Sequence, residues 1–145
     1  MPLPSPHPGL VIGYAYLWKA ESRAGKVEAE KHRPCAIVLA WKGDNQQIKV
    51  TVAPITHRAP LDANSAVEIP AITKRRLGLD AERSWVVITE VNQFEWPGPD
   101  LRPISREHPG SFDYGVLPPK LFRRIRDAVL RAARERRLQA TWRAP

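Results

Sequence analysis

Cysteine occurs once in this chain, at Cys35, and its four histidines are scattered. One thiol cannot close an internal disulfide, and no group of His, Cys and carboxylates has metal-ligand spacing. The expectation is therefore no metal and no cofactor. Long apolar runs are missing too: none approaches the ~18 residues that span a bilayer. The opening MPLPSPHPG has neither the basic start nor the apolar centre of a secretory signal. The expected setting is the reducing cytoplasm, with no membrane partner.

What the chain does have is enough apolar sequence for one core, 43% of 145 residues, which fits a single globular domain. Its 15 prolines are roughly twice the usual share and favour short strands joined by irregular loops. The formal net charge is +8, a balance that points to a polyanionic partner. That charge is unevenly placed. Residues 1–117 hold 14 Lys and Arg against 13 acids, whereas residues 118–145 hold 9 against 2. The body is nearly neutral, so nucleic-acid chemistry there must come from a site and not from bulk charge.

Local pattern gives the organisation. Residues 1–9 carry four prolines and read as a flexible tail, residues 10–138 as one domain, and residues 139–145 as a second short tail. VIGYAYLW at 11–18, CAIVLAW at 35–41, IKVTVAPI at 48–55, the short 66–69 segment and WVVITEV at 85–91 read as strands. Lys42-Gly43-Asp44-Asn45 supplies the turn of a hairpin. Residues 19–31 and 92–115 read as loops, and 71–79 as a short helix ended by Gly78. Pro118-Pro119 opens a last helix on which Leu121, Phe122, Ile125, Val129, Ala132 and Ala133 recur at helical spacing opposite a face of arginines. Pattern alone thus predicts a small β-barrel of SH3 or OB type with an amphipathic C-terminal helix.

The order of motifs adds a resemblance. Glu28 and His32-Arg33-Pro34 precede the strand CAIVLAW, and the next strand ends Ala53-Pro54-Ile55-Thr56. Later come Glu90-Val91-Asn92-Gln93-Phe94-Glu95-Trp96 and Gly115-Val116-Leu117-Pro118. Over residues 10–138 this resembles the MazF/PemK toxins of type II toxin–antitoxin systems. The resemblance implies a mainly β, SH3-like (MazF/CcdB-like) barrel closed by the C-terminal helix. It also implies a homodimer, a cognate antitoxin, and metal-independent cleavage of single-stranded RNA by attack of the ribose 2′-hydroxyl on the adjacent phosphorus. Catalytic positions carried over are Arg33, Thr56 and Glu28; His32, His57, Glu90 and Asn92 are candidate RNA contacts beside them.

The residue types suit that chemistry. A guanidinium grips two phosphoryl oxygens at once, a threonine hydroxyl donates to one, and a loop carboxylate can accept the attacking proton. On the residues alone, Arg33 reads first as an ion-pair partner of Glu28 or Glu30, and Thr56 as a strand-end residue bonding its own backbone. Glu90 and Asn92 stand where the family commonly carries Gln and Lys or Arg. The other reading is therefore a non-catalytic relative on the same barrel, one that grips a protein target as gyrase poisons do, or binds nucleic acid without cutting it.

Overall fold

The computed structural model describes residues 3–27 and 31–145. Among the described residues, eight strands and three α-helices follow in the order β1 (Leu10–Tyr14), α1 (Lys19–Arg23), β2 (Arg33–Lys42), β3 (Ile48–Thr56), β4 (Ala66–Glu68), α2 (Ala71–Leu77), β5 (Trp85–Val87), β6 (Glu90–Glu95), β7 (Asp113–Val116), α3 (Pro119–Arg134) and β8 (Gln139–Trp142), with a short 3-10 turn at Ala63–Ser65. β3 is the pivot. One of its edges pairs along β2, from Cys35 opposite Pro54 to Lys42 opposite Ile48. Its other residue pairings go to β5 at the Thr56 end and to β6 at the Ile48 end. β4 then adds to β5, and β8 adds to β6 in parallel. On the far side the order runs β2, β1, β7.

The expected closed barrel is not what forms. Closure requires the last strand of the sheet to hydrogen-bond the first, with a matching tilt and stagger. Here β7 is four residues long and bonds along β1 alone, with a register shift between Val11 and Ile12. Among the described residues no pairing joins β7 to β4 or to β8, so the eight-stranded sheet stays open. The architecture is a mixed open sheet carrying helices, which corrects both the SH3/OB-type and the MazF/CcdB-like barrel expectations.

Both faces of the sheet are nonetheless buried, through the period-two alternation of strand side chains. Val11, Ala36, Val38, Ala53 and Ile55 point into one core, which the stripe of α3 (Leu121, Ile125, Val129, Ala132) completes. Leu10, Ile12, Tyr14, Cys35, Ile37, Val50 and Val52 point into the other, where Tyr14 stacks on Phe94 with ring centroids 4.6 Å apart. Strands buried on both faces read as unbroken apolar runs, which explains the stretch Cys35–Val38, whereas Leu39 and Trp41 beyond it are exposed. Gly13 is required by a close approach. A Cβ there would lie 2.4 Å from the Arg102 carbonyl oxygen, whose own N–H donates to the Gly13 carbonyl at 2.8 Å.

Several segments differ from expectation: α1 lies in the expected 19–31 loop, and the first strand, expected over 11–18, is Leu10–Tyr14. The run WVVITEV splits, because β5 and β6 follow one edge of β3 in registers that do not match across Ile88 and Thr89. Part of the 92–115 loop is therefore strand. The expected tail at 139–145 contains β8, anchored by Arg143, which is only 4% exposed. Its guanidinium donates to the Ala15 carbonyl at 2.7 Å and to Asn92 Oδ1 at 3.1 Å, and pairs with Asp100 at 3.2 Å. At the junction of the first tail with β1, the Gly9 N–H donates to the Ile37 carbonyl and the Gly9 carbonyl accepts from the Leu117 N–H.

Candidate functional site

The start of β2 and the end of β3 run out together, since Arg33 lies two residues before Cys35 and Thr56 two residues after its partner Pro54. Alternation then places Arg33 and Thr56 on the same side of the sheet. Pro34 contributes, because a residue preceding proline is confined to extended backbone, and Arg33 pairs with Tyr14 in that conformation. Arg33, Thr56, His57 and Lys31 line two lobes of one cleft. The larger, about 800 Å³, also has Trp18, Arg58 and Glu90 in its wall. The smaller, about 260 Å³, has His32, Lys74, Asp80 and Ser84.

Arg33 is the unusual member. Its guanidinium carbon stands 4.9 Å from the centre of the Trp18 ring, a cation–π arrangement. Its Nε is buried with no hydrogen-bond partner in the structure, and no carboxylate among the described residues forms an ion pair with it. A buried donor without an acceptor is costly, about 1–3 kcal/mol, and calls for a specific explanation. Thr56 Oγ1 accepts from the Arg58 N–H at 3.1 Å, which leaves the hydroxyl proton to donate.

His57 is held by two residues from the α2–β5 connection. Its Nε2 lies 2.8 Å from Asp80 Oδ2, and its Nδ1 lies 3.5 Å from Glu82 Oε2. Asp80 is itself fixed by Lys74, whose ammonium, buried under α2, reaches Oδ1 at 2.7 Å and also bonds Ser84 Oγ and the Glu82 carbonyl. The lysine hydrogen bond, reinforced by that from His57, holds the Asp80 carboxyl below the usual carboxylate range. Ligand atoms of His57, Asp80 and Glu82 lie within 4.8 Å of one another, a spacing that could admit a cation. Lys74 already brings a positive charge to Asp80, however, and the geometry is accounted for by hydrogen bonding.

The remaining expected residues are distributed as follows. Glu90 reaches the cleft wall, but Oε1 accepts from Tyr16 Oη at 2.9 Å and from the Lys19 N–H at 3.0 Å. Burial, followed by the Glu90 charge, pushes the Tyr16 phenol up, so it stays protonated as the donor. Asn92 is not at the surface: it is 0% exposed, and its amide both accepts from the Leu17 N–H and donates to the Leu17 carbonyl at 2.9 Å. That correction takes Asn92 out of the RNA-contact set, because both ends of its side chain are occupied within the protein. His32 lies between the smaller lobe and a groove beside Arg102 and Arg106. Glu28 lies outside the described residues.

Sequence reasoning did not pick out Trp18, Lys74, Asp80 or Ser84. A separate groove of about 560 Å³ beside α3 mixes Arg124, Arg131 and Arg137 with Asp127 and Glu135 and holds no nucleophile. No helix among the described residues is long and apolar enough to cross a membrane. In comparisons with known proteins, no family model and no curated protein matches the chain.

Proposed function

We propose that the Arg33–Thr56 cleft binds a phosphate of single-stranded RNA and promotes its cleavage by the neighbouring ribose 2′-hydroxyl, without metal. The observation that carries this reading is the Arg33 guanidinium, which forms no ion pair with a carboxylate among the described residues, in an open cleft beside the Thr56 hydroxyl. The fork of a guanidinium matches two phosphoryl oxygens of a ligand in that cleft. Charge on those oxygens grows in the transition state, so donors fixed beforehand by β2 and β3 lower the barrier. The Trp18 face shields one side of the guanidinium and leaves an aromatic surface in the wall on which a base can stack.

In a cell the same activity makes the chain a growth-inhibiting toxin that an antitoxin protein restrains and that works as a homodimer. Leu39, Trp41 and Trp142 are large exposed apolar residues. The strand registers place them on one side of the sheet, where a second copy can pack.

The test is incubation of purified protein with a long single-stranded RNA, with and without excess EDTA. The parent cleaves in both, and Arg33→Ala falls by roughly 10²–10³-fold, the loss seen when one oxyanion donor is removed, while remaining folded. An Arg33→Ala variant that cuts at the parent rate, or cleavage that needs added magnesium or manganese, refutes the proposal. Binding without any cutting favours the non-catalytic reading.

A further inference from the structure

We infer that His57, oriented by Asp80 and Lys74, is the group that takes the proton from the attacking 2′-hydroxyl; this rests on the RNA-cleaving reading above. Ionised Asp80 can only accept hydrogen bonds, so the 2.8 Å contact fixes the proton of a neutral imidazole on Nε2. The lone pair is then on Nδ1. Its nearest carboxylate oxygen, on Glu82, is 3.5 Å away on a side chain 73% exposed, too long for a firm hydrogen bond. His57 lines both lobes of the cleft with Arg33 and Thr56, so proton acceptor, phosphate anchor and hydroxyl donor share one concavity. A base oriented by a third group is the arrangement general-base catalysis requires.

Lys74 explains why the orientation is rigid. An exposed Asp–His pair would sample many geometries, but the lysine side chain is 5% exposed and ties Asp80 to α2 and to Ser84. The charged groups facing His57 come from several elements. Lys31 precedes β2 and Arg33 opens it, Arg58 follows β3, and Glu21 and Glu90 stand in the wall of the larger lobe. Asp80 and Glu82 flank the ring, with Lys74 behind Asp80.

The step balances without an outside reagent. The 2′-hydroxyl proton passes to Nδ1 while the O2′–P bond forms and the P–O5′ bond breaks. The 5′-oxygen leaves with a proton from solvent, the imidazolium returns its proton to solvent, and the ends are a 2′,3′-cyclic phosphate and a 5′-hydroxyl.

The experiment is single-turnover cleavage at saturating RNA across pH 5–8 for the parent, His57→Ala, Asp80→Asn and Glu28→Gln. Affinity is measured separately on RNA with a 2′-deoxy sugar at the cut site, and folding is checked by thermal melting. His57→Ala loses about 10²–10⁴-fold in saturated rate, the usual worth of a positioned base. It keeps its affinity within threefold, loses the acid limb of the profile, and regains rate when imidazole is added. Asp80→Asn is slower than the parent but retains an acid limb. If the parent cleaves and His57→Ala keeps both rate and acid limb, the inference fails while the RNA-cleaving reading stands. An acid limb that survives His57→Ala and disappears in Glu28→Gln gives the role to the loop carboxylate and overturns it. A folded parent that binds RNA but cuts none removes the reading itself, and this inference with it.

Discussion

Asn92 offers the sharpest separation between a structural and an RNA-contacting role. Its amide joins three parts of the chain: β6, on which it sits, the segment after β1 through Leu17, and the C-terminal strand through Arg143. Asn92→Ala removes three hydrogen bonds and leaves the Leu17 N–H, the Leu17 carbonyl and one Arg143 donor short of a partner in a site with no solvent access. A typical bond contributes about 1 kcal/mol net, and a buried orphan costs about 1–3 kcal/mol. Local relaxation recovers part of this, so the expected loss is about 3 kcal/mol. For a chain of this size that corresponds to a fall of roughly 10 °C in Tm. Urea and thermal denaturation of parent and variant measure the loss directly. RNA affinity below the melting range should stay at the parent value, because the amide faces no part of the cleft. A variant as stable as the parent to within 1 kcal/mol, or one that melts normally yet binds RNA tenfold more weakly, would refute this account of Asn92.

Other consequences can be checked with the same protein. Asp80 is stabilised as a carboxylate by Lys74 and then by His57; its contribution is complete above about pH 5 and is lost as acid protonates it below the ordinary carboxylate value of about 3.9. Denaturation midpoints followed from pH 6 to pH 3 should therefore fall less steeply in Asp80→Asn than in the parent. Cys35 is fully buried, and burial pushes its thiol up, so a thiol reagent such as Ellman's should label it only in denaturant; rapid labelling of the native protein would contradict the placement. Replacing exposed Arg131, Arg134 and Arg136 with Gln should weaken RNA binding for every sequence and flatten its salt dependence by up to about three in slope. The cleavage rate at saturating RNA should stay unchanged, as single-turnover assays at two salt concentrations would show, since these groups grip ground state and transition state alike.

How much of this was legible in the sequence follows from how local each signal is. The β2–β3 hairpin was readable because two apolar runs flank Lys42-Gly43-Asp44-Asn45, and the strands extend only one or two residues beyond those runs. α3 was readable because its stripe repeats at helical spacing over 16 residues, although Ala133, placed on that stripe, proves exposed. β8 was not readable. QATW is four residues after a run of charge, and it becomes a strand only through parallel pairing with β6, some 50 residues earlier. Sheet closure was illegible for the same reason: whether β7 meets β4 or β8 is decided by non-local pairing that no periodicity records.

The site divides along the same line. Arg33 and Thr56 are marked by their prolines and by their places at the ends of two recognisable strands, so a sequence reading can bring them together. Lys74 carries no such mark. On α2 Ile72 is exposed, at 61%, while Thr73, Lys74 and Leu77 are buried, the reverse of what hydrophobicity predicts for positions 72 and 74. The inversion has a physical cause, because the ammonium finds Asp80, Ser84 and the Glu82 carbonyl within the turn that follows Gly78. A buried lysine so fully paired is expensive to assemble, and cheaper packing with an apolar side chain was open to the fold. What the lysine provides instead is a fixed Asp80 beside His57, at the mouth of the cleft where Arg33 has no protein acceptor among the described residues. Burying a charge to orient an exposed histidine makes structural sense chiefly where that imidazole must meet a ligand in one orientation.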